Sequence, residues 1–377
     1  MINILLITET PTTGIGYYRQ LMPHFHLSRN YEGYTAIKAT EFDFEHIEKI
    51  KDYQIIVFSR IISIDKDKAE KIVEWLRSKG IVVIFDIDDY WQLPKTHRLY
   101  RDFSKFEVPQ RTVQSIELAD HVITTQYYLA DKIKQINKNV TIIPNAIDPE
   151  QPQYESYKIE SERLRFGWIG SRDHLYDILL LREDMEKLIK NFFVSGKYQI
   201  VLGGFSEGFI TFEKILTNDW KIIKGDSDYI NYLKQFQPTL LHYMERKPYK
   251  RIWGMQPDQY VSMYNQIDVA LAPLCDNEFE RCKSQLKIIE AGFMKKAVIC
   301  SNVIPYQIDC VHNKNSLVAR YKGDWYRSMV QLMNNKNLVE DLSENLYETV
   351  KERYHIKTAN DIRNDLYQQL IHKKNAN

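Results

Sequence analysis

The chain is poor in cysteine, has no long apolar run and carries almost no net charge. Its four cysteines among 377 residues lie between Cys275 and Cys310, with no CxxC pair and no histidine at zinc-site spacing. This pattern argues against a zinc site and against a disulfide framework. The longest apolar runs, such as residues 81–85, are far below the roughly 18 residues that span a bilayer. A formal charge of +1 argues against a nucleic-acid footprint over the whole surface, although local basic patches can still exist.

The amino-terminal residues do not resemble a secretion signal. Residues 1–8, MINILLIT, form a strand pattern and lack the basic segment and small-residue cleavage site of a signal peptide. We therefore expect a cytoplasmic protein.

Apolar strand patterns alternate with amphipathic helix patterns along the chain, which is typical of parallel α/β layers. Strands are predicted at residues 2–7, 55–59, 81–86, 122–125, 140–143, 165–169, 199–202, 268–272 and 297–299. Helices are predicted at residues 66–79, 177–193 and 358–372. Residues 145–157 contain two prolines and few apolar residues, so they are predicted to link two α/β halves. Two such halves would place a ligand cleft between them, at the carboxyl ends of strands.

Residues 209–254 form a segment too long for an ordinary connection, and we interpret it as an insertion with its own short helices. The insertion is rich in aromatic residues and ends in a basic run that includes Arg246, Lys247, Lys250 and Arg251. This run could contact an anionic acceptor or a membrane surface. It could equally be a solvated insertion without such a role.

Two glycines follow the first predicted strand, in Gly14-Ile15-Gly16-Tyr17-Tyr18-Arg19. Arg19 occupies the position where the dinucleotide fingerprint GxGxxG needs its third glycine, so an NAD site is disfavoured. A glycine loop at a helix N-terminus can still hold an anion, with Arg19 reaching into the cleft. The alternative is a tight strand-to-helix turn.

Acidic residues follow another predicted strand, at Asp86, Asp88 and Asp89. At a strand end their side chains are expected to face the cleft, where carboxylates hydrogen-bond sugar hydroxyls or act as a general base. Binding of a divalent cation, or simple capping of the next turn, are the other interpretations.

A further strand end carries Gly170, Ser171 and Arg172. Backbone N–H groups together with a guanidinium suit the binding of a diphosphate. His174 and Asp177 follow at i and i+3, a pair that is more often structural than catalytic. No Ser/His/Asp set, Cys/His set or P-loop can be assembled from the sequence.

Residues 268–301 read as strand, loop, helix and strand, with the helix opening at Ser284. Lys283, Lys287 and Glu290 then lie at i, i+4 and i+7 and share one stripe beside an apolar stripe. The charged stripe begins at a helix N-terminus, where free N–H groups and the helix dipole attract anions. A solvated face with Lys–Glu pairs is the alternative.

Together these segments resemble the GT-B glycosyltransferases, and within them the large retaining family called glycosyltransferase family 4. Residues 119–148, which include Pro144-Asn145-Ala146-Ile147-Asp148, are similar to the family's passage into the interdomain linker. Residues 268–301 are similar to its donor-binding block, and the glycine loop and residues 165–171 match two further landmarks. The resemblance covers nearly the whole chain.

The resemblance implies a fold of two Rossmann-like parallel-sheet domains facing across a cleft. Residues 1–148 would form the acceptor-side domain, with the last helix, 358–377, packing back on it, and residues 149–357 would bind the donor. It further implies a metal-independent enzyme without cofactor. Such an enzyme would transfer a sugar from a UDP- or GDP-sugar, with retention, to a glycan, lipid-linked sugar, protein or nucleic acid.

The resemblance also implies roles for individual residues. Glu290 would accept hydrogen bonds from the ribose hydroxyls. The donor diphosphate would be bound by two groups of residues, namely Lys283, Ser284 and Lys287, and Gly170, Ser171 and Arg172. The loop with Gly14 and Gly16 would close over the donor, and Arg19 is assigned to the same site.

Two positions depart from the family pattern. Cys282 stands where many members carry the earlier acidic residue of a Glu-x7-Glu pattern. Asp88 and Asp89 occupy the region where many members carry a histidine, and they are the predicted catalytic residues.

Two other functions are compatible with the same donor site. A sugar-nucleotide 2-epimerase shares the two-domain architecture and needs no acceptor, but the cleft histidine and acidic residues of such enzymes are not found arranged here. A catalytically silent sugar-nucleotide-binding protein would keep Lys283, Lys287 and Glu290 without turnover.

Overall fold

A computed structural model describes most of the chain. The described residues are 1–8, 13–39, 52–63, 65–192, 196–205 and 249–376. Most of the predicted insertion, with Arg246 and Lys247, lies outside them, as does the side chain of Arg172. None of the helices in the described residues combines the length and the apolarity that a bilayer crossing requires.

The chain divides into two compact units. Unit 1 comprises Met1–Asp148, Asn277–Ser284 and Arg353–Asn377, and unit 2 comprises Pro149–Asp276 and Gln285–Glu352. Each unit is built on one parallel sheet. The strand order is β2-β1-β3-β4-β5-β6 in unit 1 and β12-β11-β10-β7-β8-β9 in unit 2.

Strands and helices are numbered here in chain order over the described residues. The strands are β1 (Ile2–Ile7), β2 (Tyr34–Ala39), β3 (Ile55–Phe58), β4 (Val82–Ile87), β5 (His121–Thr124), β6 (Val140–Ile142), β7 (Leu164–Ile169), β8 (Tyr198–Phe205), β9 (Tyr249–Trp253), β10 (Val269–Ala272), β11 (Ala297–Ser301) and β12 (Leu317–Ala319). The helices are α1 (Met22–Asn30), α2 (Lys66–Ser78), α3 (Tyr100–Lys105), α4 (Val108–Leu118), α5 (Tyr127–Ile133), α6 (Leu175–Leu179), α7 (Arg182–Phe192), α8 (Glu278–Arg281), α9 (Leu286–Phe293), α10 (Ile304–Gln307), α11 (Asp324–Asn334), α12 (Lys336–Val350) and α13 (Ile356–Ala376).

The central strands of unit 1 are buried along their whole length. Every residue of β3 and β4 is buried, because crossover helices cover both faces of a parallel sheet. Phe58 and Phe85 pack in the core of this unit with their ring centroids 5.0 Å apart. The helix α2 is capped by Asp65, whose side chain accepts hydrogen bonds from the N–H groups of Asp67 and Lys68. These apolar runs and caps explain why the predicted strands and α2 agree closely with the structure.

The first helix of the chain begins with a turn that is wider than that of an α-helix. The helix predicted from Tyr17 starts as a π-helix over Gly16–Leu21, where the N–H of Met22 bonds to the carbonyl of Tyr17. This π-helix runs directly into α1, and it buries Arg19.

The carboxy-terminal helix α13 belongs to unit 1. Asn360 donates from Nδ2 to the carbonyl oxygen of Pro23 at 2.9 Å, and His24 Nε2 lies 2.8 Å from the hydroxyl of Tyr367. Both His24 and Tyr367 are fully buried. The end of the chain therefore contributes to the core of the unit in which the chain begins.

A short segment between β10 and α9 also belongs to unit 1. Its sequence was expected to be a loop, but it contains α8, which is capped by Asn277 through a bond from the N–H of Glu280 at 3.1 Å. Gln126 Nε2 donates to the carbonyl oxygen of Arg281 at 2.9 Å, and Tyr128 donates to Glu278 Oε2 at 3.0 Å. These contacts fix the segment to α5.

Two helix predictions need correction. The helix expected to open at Ser284 begins at Leu286, so Lys283 is not part of it. Residues 277–284, which include α8, pack in unit 1 and therefore do not continue into α9. The helix expected over residues 177–193 is two helices, α6 and α7, because the chain turns between Leu179 and Arg182.

Candidate functional site

Glycines bring the carboxyl ends of β7 and β8 close together in unit 2. The N–H of Gly170 donates to the carbonyl oxygen of Gly203 at 3.3 Å. A methyl group on Gly170 would lie 2.7 Å from Lys287 Nζ and 2.8 Å from the ring of Trp168. Gly204 has φ +84°, and a methyl group there would lie 2.3 Å from the carbonyl oxygen of Gly170. This edge of the sheet therefore presents bare backbone beside the lysine.

Lys287 is fixed at the same strand end. It lies in the first turn of α9 and is half-buried, and its ammonium donates to the carbonyl oxygen of Ile169. The ammonium also lies 5.1 Å from the ring centroid of Trp168. The structure thus brings together two of the predicted groups, the Gly170 backbone and the Lys287 ammonium, at a helix N-terminus suited to an anion.

Glu290 lies one turn further along α9 and is only 2% exposed. Its carboxylate accepts a hydrogen bond from the hydroxyl of Tyr260 and another from the hydroxyl of Tyr264, the latter at 3.3 Å. Both tyrosines lie on a 3-10 helix, Tyr260–Gln266, that precedes β10. The sequence analysis did not identify these two tyrosines as site residues. The one signal available in the sequence is their spacing of four residues, which places both on one face of a helix just before an apolar strand.

The loop after Gly170 is held by a histidine–aspartate pair. Ser171 is exposed, and a 3-10 helix, Arg172–His174, follows it. Asp177 accepts from His174 Nδ1 at 2.7 Å and from the N–H of Cys275 at 2.7 Å. Although burial acts to raise the pKa of Asp177, these hydrogen bonds and the charge of His174 lower it below its ordinary value. The pair therefore supports the loop.

Arg19 lies in the interior of unit 1 and not at its surface. It donates from Nε to Asp86 Oδ1 at 2.8 Å and from Nη2 to Asp86 Oδ2 at 3.3 Å. Its Nη1 donates to the carbonyl oxygen of Ile143 at 2.8 Å and to Asn145 Oδ1 at 3.2 Å. Asp86 was expected to face a cleft, but it is fully buried in this ion pair, and burial raises its pKa against the influence of Arg19.

Asp88 and Asp89 differ in their surroundings. Asp88 is half-buried and Asp89 is exposed. Burial, followed by the charge of Asp89, raises the pKa of Asp88 to about 7. Lys283 Nζ lies 3.8 Å from Asp89 Oδ1 and 4.0 Å from Glu280 Oε2, and it lies 4.6 Å from the ring centroid of Phe279. Lys283 is therefore placed beside the acidic turn of unit 1.

The remaining predicted residues of unit 1 surround the linker motif. Ser284 Oγ accepts a hydrogen bond from Asn145 Nδ2 at 2.9 Å, and Asn145 is buried. Gly14 is exposed with open space around it, whereas Gly16 is buried and donates from its N–H to Thr13 Oγ1 at 3.4 Å.

Two of the basic residues predicted to meet an anionic acceptor are not on the surface. Lys250 and Arg251 lie on β9 and are only 5% and 9% exposed. Lys250 Nζ donates to Gln266 Oε1 at 2.8 Å. Both interpretations of the basic run, an acceptor contact and a solvated insertion, require exposed side chains, but pairing with β8 draws Lys250 and Arg251 into the sheet. Over the described ranges, no three His, Cys, Asp or Glu side chains are grouped to hold a metal ion.

No family model and no curated protein matches the chain. Solved structures do match it, over nearly its whole length. A sucrose-phosphate synthase from Thermosynechococcus elongatus matches with a TM-score of 0.65 and 13% identity, over 99% of this chain and 100% of that one. A glycosyltransferase from Rickettsia africae gives 0.65 and 11%, over 98% of each chain. HepE from Anabaena, bound to UDP-glucose, gives 0.61 and 12%, over 100% of each chain.

The chain has the GT-B fold. The two parallel sheets are the two Rossmann-like domains of that fold, which confirms the fold class predicted from the sequence. At 11–13% identity the likeness establishes the GT-B fold alone.

Proposed function

We propose that the protein is a glycosyltransferase whose donor is a nucleotide diphosphate sugar. The main support is the placement of the Lys287 ammonium against the Gly170 backbone at the carboxyl ends of the strands of unit 2. Ligands bind α/β sheets at that edge. The GT-B proteins to which the chain is similar include a sucrose-phosphate synthase and a HepE bound to UDP-glucose, which is a nucleotide diphosphate sugar.

The chemistry follows from charge. The donor diphosphate would accept hydrogen bonds from the N–H groups that follow Gly170, beginning with that of Ser171, and Lys287 would neutralise it. As the glycosidic bond breaks, negative charge grows on the departing nucleotide diphosphate, and a fixed ammonium and helix N-terminus stabilise that charge. On the family resemblance, Glu290 is proposed to accept hydrogen bonds from the ribose hydroxyls, and Tyr260 and Tyr264 hold its carboxylate in place.

Further residues enter the proposal on the family resemblance. Lys283 and Ser284 are proposed to assist the diphosphate, together with Arg172 and the glycine loop. Arg19 is proposed as a positioning residue, because it holds Asn145, which in turn orients Ser284.

Asp88 is proposed as the proton-accepting residue. A general base works best with a pKa near the working pH, and the pKa of Asp88 is raised to about 7. Retention of configuration, a UDP- or GDP-linked donor and an acceptor that is a glycan, lipid-linked sugar, protein or nucleic acid complete the proposal. A cytoplasmic location and independence of metal ions likewise stay predictions.

A donor panel tests this function. The purified chain is incubated with UDP- and GDP-sugars, and release of free nucleotide is followed with and without EDTA. We expect slow release from one donor that persists in EDTA, and a fall of at least tenfold in Lys287→Ala. The matched control is Lys314→Ala, which removes an equal charge from an exposed site of unit 2.

The alternatives give different results. An isomerised sugar nucleotide would identify an epimerase, and thermal stabilisation by a donor without turnover would identify a silent binding protein. Equal rates for Lys287→Ala and Lys314→Ala would show that the lysine does not bind the diphosphate.

A further inference from the structure

Unit 2 contains a cavity at the edge of its sheet opposite to the candidate donor site. Its volume is about 560 Å³, which lies in the range of small-molecule pockets. Its lining includes Leu164, the first residue of β7, together with Asp268 and Lys296, which directly precede β10 and β11. The cavity therefore lies at the amino ends of the strands, whereas Gly170 lies at their carboxyl ends.

Lys296 is the most unusual residue of this lining. It is only 7% exposed, and among the described residues no hydrogen-bond or ion-pair partner faces its ammonium. Burial lowers its pKa to about 8, although the nearby carboxylate of Asp268 acts in the opposite direction. Buried lysines without a partner are uncommon, because a buried charge is costly. The ammonium of Lys296 can therefore bind an anion in this cavity.

A second cation lines the same cavity. Arg163 lies just before β7, and its Nη1 is buried without a hydrogen-bond partner among the described residues. A guanidinium presents its N–H groups as a rigid fork that fits phosphate oxygens, and an ammonium adds a compact positive charge. Two such groups with unmet donor capacity suit the same kind of ligand.

The carboxylates of the lining do not cancel these two cations. Asp268 binds Arg165 through both oxygens, at 2.7 and 3.0 Å. Glu344 lies 3.1 Å from Lys295, and Glu340 lies 3.6 Å from Lys158. The other charged lining residues are exposed to solvent, which screens them, and they are Glu160, Lys336 and Asp341. The positive charge that is least compensated within the cavity therefore belongs to Lys296 and Arg163.

We propose that this cavity is a second ligand site, which binds a small phosphate monoester through Lys296 and Arg163. The first turn of α12 also borders the cavity, at Lys336 and Val339, and the positive end of its dipole favours an anion. The site is separate from the donor site and is independent of the proposed transfer reaction.

Calorimetric titration of the full chain with glycerol 3-phosphate tests the proposal, with glycerol as the uncharged control. We expect saturable binding of the phosphate ester, and a dissociation constant raised at least tenfold in Lys296→Met and in Arg163→Gln. Lys314→Met removes an equal charge from an exposed site, and it should change the constant less than twofold. Lys287→Ala, at the donor site, should also leave binding intact.

A local measurement accompanies the titration. Acetic anhydride acetylates accessible amines, and peptide mass spectrometry reports the rate at each lysine. Saturating glycerol 3-phosphate should slow acetylation of Lys296 at least fivefold and leave Lys314 unchanged, and this protection should disappear in Arg163→Gln.

Four results would overturn the proposal. These are the absence of saturable binding, an equal loss in Lys314→Met, full binding in both Lys296→Met and Arg163→Gln, and loss in Lys287→Ala alone. The last would show that the ester binds at the donor site.

Discussion

A lysine that is 7% exposed and has a pKa of about 8 lowers the stability of the fold that contains it. In the unfolded chain the pKa of Lys296 returns to about 10.5. Below pH 8 both states are protonated, so the folded state bears the full cost of the buried charge, of the order of 3 kcal/mol at most. Between about pH 8 and 10.5 the unfolded state binds more protons, so stability rises with pH.

We therefore expect Lys296→Met to be more stable than the parent protein at pH 7, by about 1–3 kcal/mol. The advantage should shrink as the pH rises from 8 to 10. Urea unfolding at both pH values measures it, with Lys314→Met as the matched control. A destabilised Lys296→Met would contradict the assignment of an uncompensated charge.

Asp88 gives a prediction about activity. If it accepts the acceptor's proton, donor turnover should rise with pH through about 7, and this rise should be absent in Asp88→Asn. The charge of Asp89 helps to raise the pKa of Asp88, so Asp89→Asn should move the rise to lower pH. Rates measured from pH 5 to 9 test both statements. An unchanged profile in Asp88→Asn would remove Asp88 from the mechanism.

The raised pKa of Asp88 also makes the stability of the fold depend on pH. The folded state keeps the proton between about pH 4 and 7, whereas the unfolded state has lost it, so the contribution of Asp88 to stability falls as the pH rises through 7. We expect the stability of Asp88→Asn, relative to that of the parent protein, to be greater at pH 8 than at pH 5. Thermal unfolding at the two pH values measures the gain, and equal differences at both would contradict the raised pKa.

At the scale of elements, the close approach of β7 and α9 depends on Gly170. A methyl group there would meet the ring of Trp168, which is fully buried, as well as Lys287 Nζ. We expect Gly170→Ala to cost about 1–3 kcal/mol of unfolding free energy and to weaken donor binding at least tenfold. Gly14→Ala is the control for stability, because open space surrounds that position, and it should cost less than about 0.5 kcal/mol. Urea unfolding separates the two, and equal losses would contradict the argument.

The elements that the sequence predicts well are those whose local pattern carries the information. Strands β3 and β4 are continuous apolar runs, and they were located within one residue. In contrast, β2 is an edge strand with mixed exposure, and β9 lies at the end of the segment interpreted as an insertion, residues 209–254, so neither shows such a run. The helix start at Leu286 is set by contacts between Gln126 and the preceding segment, which no local pattern reveals.

The candidate site shows the same division. The position of Lys287 beside Gly170 could be expected, because both residues are at strand or helix ends at one edge of a sheet. Tyr260 and Tyr264 could not, since their contact with Glu290 depends on where a 3-10 helix crosses α9. Arg19 was expected to reach into the cleft at the donor site, but the π-helix turns it inward to Asp86.

At the scale of the whole molecule, α13 should decide whether unit 1 folds. Asn360, Arg363 and Tyr367 are each at most 1% exposed, so a chain that ends at residue 352 would uncover the core of unit 1. We expect fast amide hydrogen exchange in β1 and α1 of that chain, with β7 and β10 still protected. A chain that ends at residue 373 keeps these contacts and is the control. Full protection of β1 in the shorter chain would contradict this role of α13.

The chain passes between its two units at four points, and this has a consequence for synthesis. Residues 1–148 leave the ribosome first. Cys282 and Tyr367 are buried in unit 1, but Cys282 follows residues 149–276 of unit 2, and Tyr367 arrives only after all of unit 2. At about 5–20 residues per second, the first sheet waits roughly 10–50 seconds for its last helix. During that interval its uncovered apolar face is a natural substrate for chaperones, so the yield of the protein in cells should depend on them more than its final stability suggests.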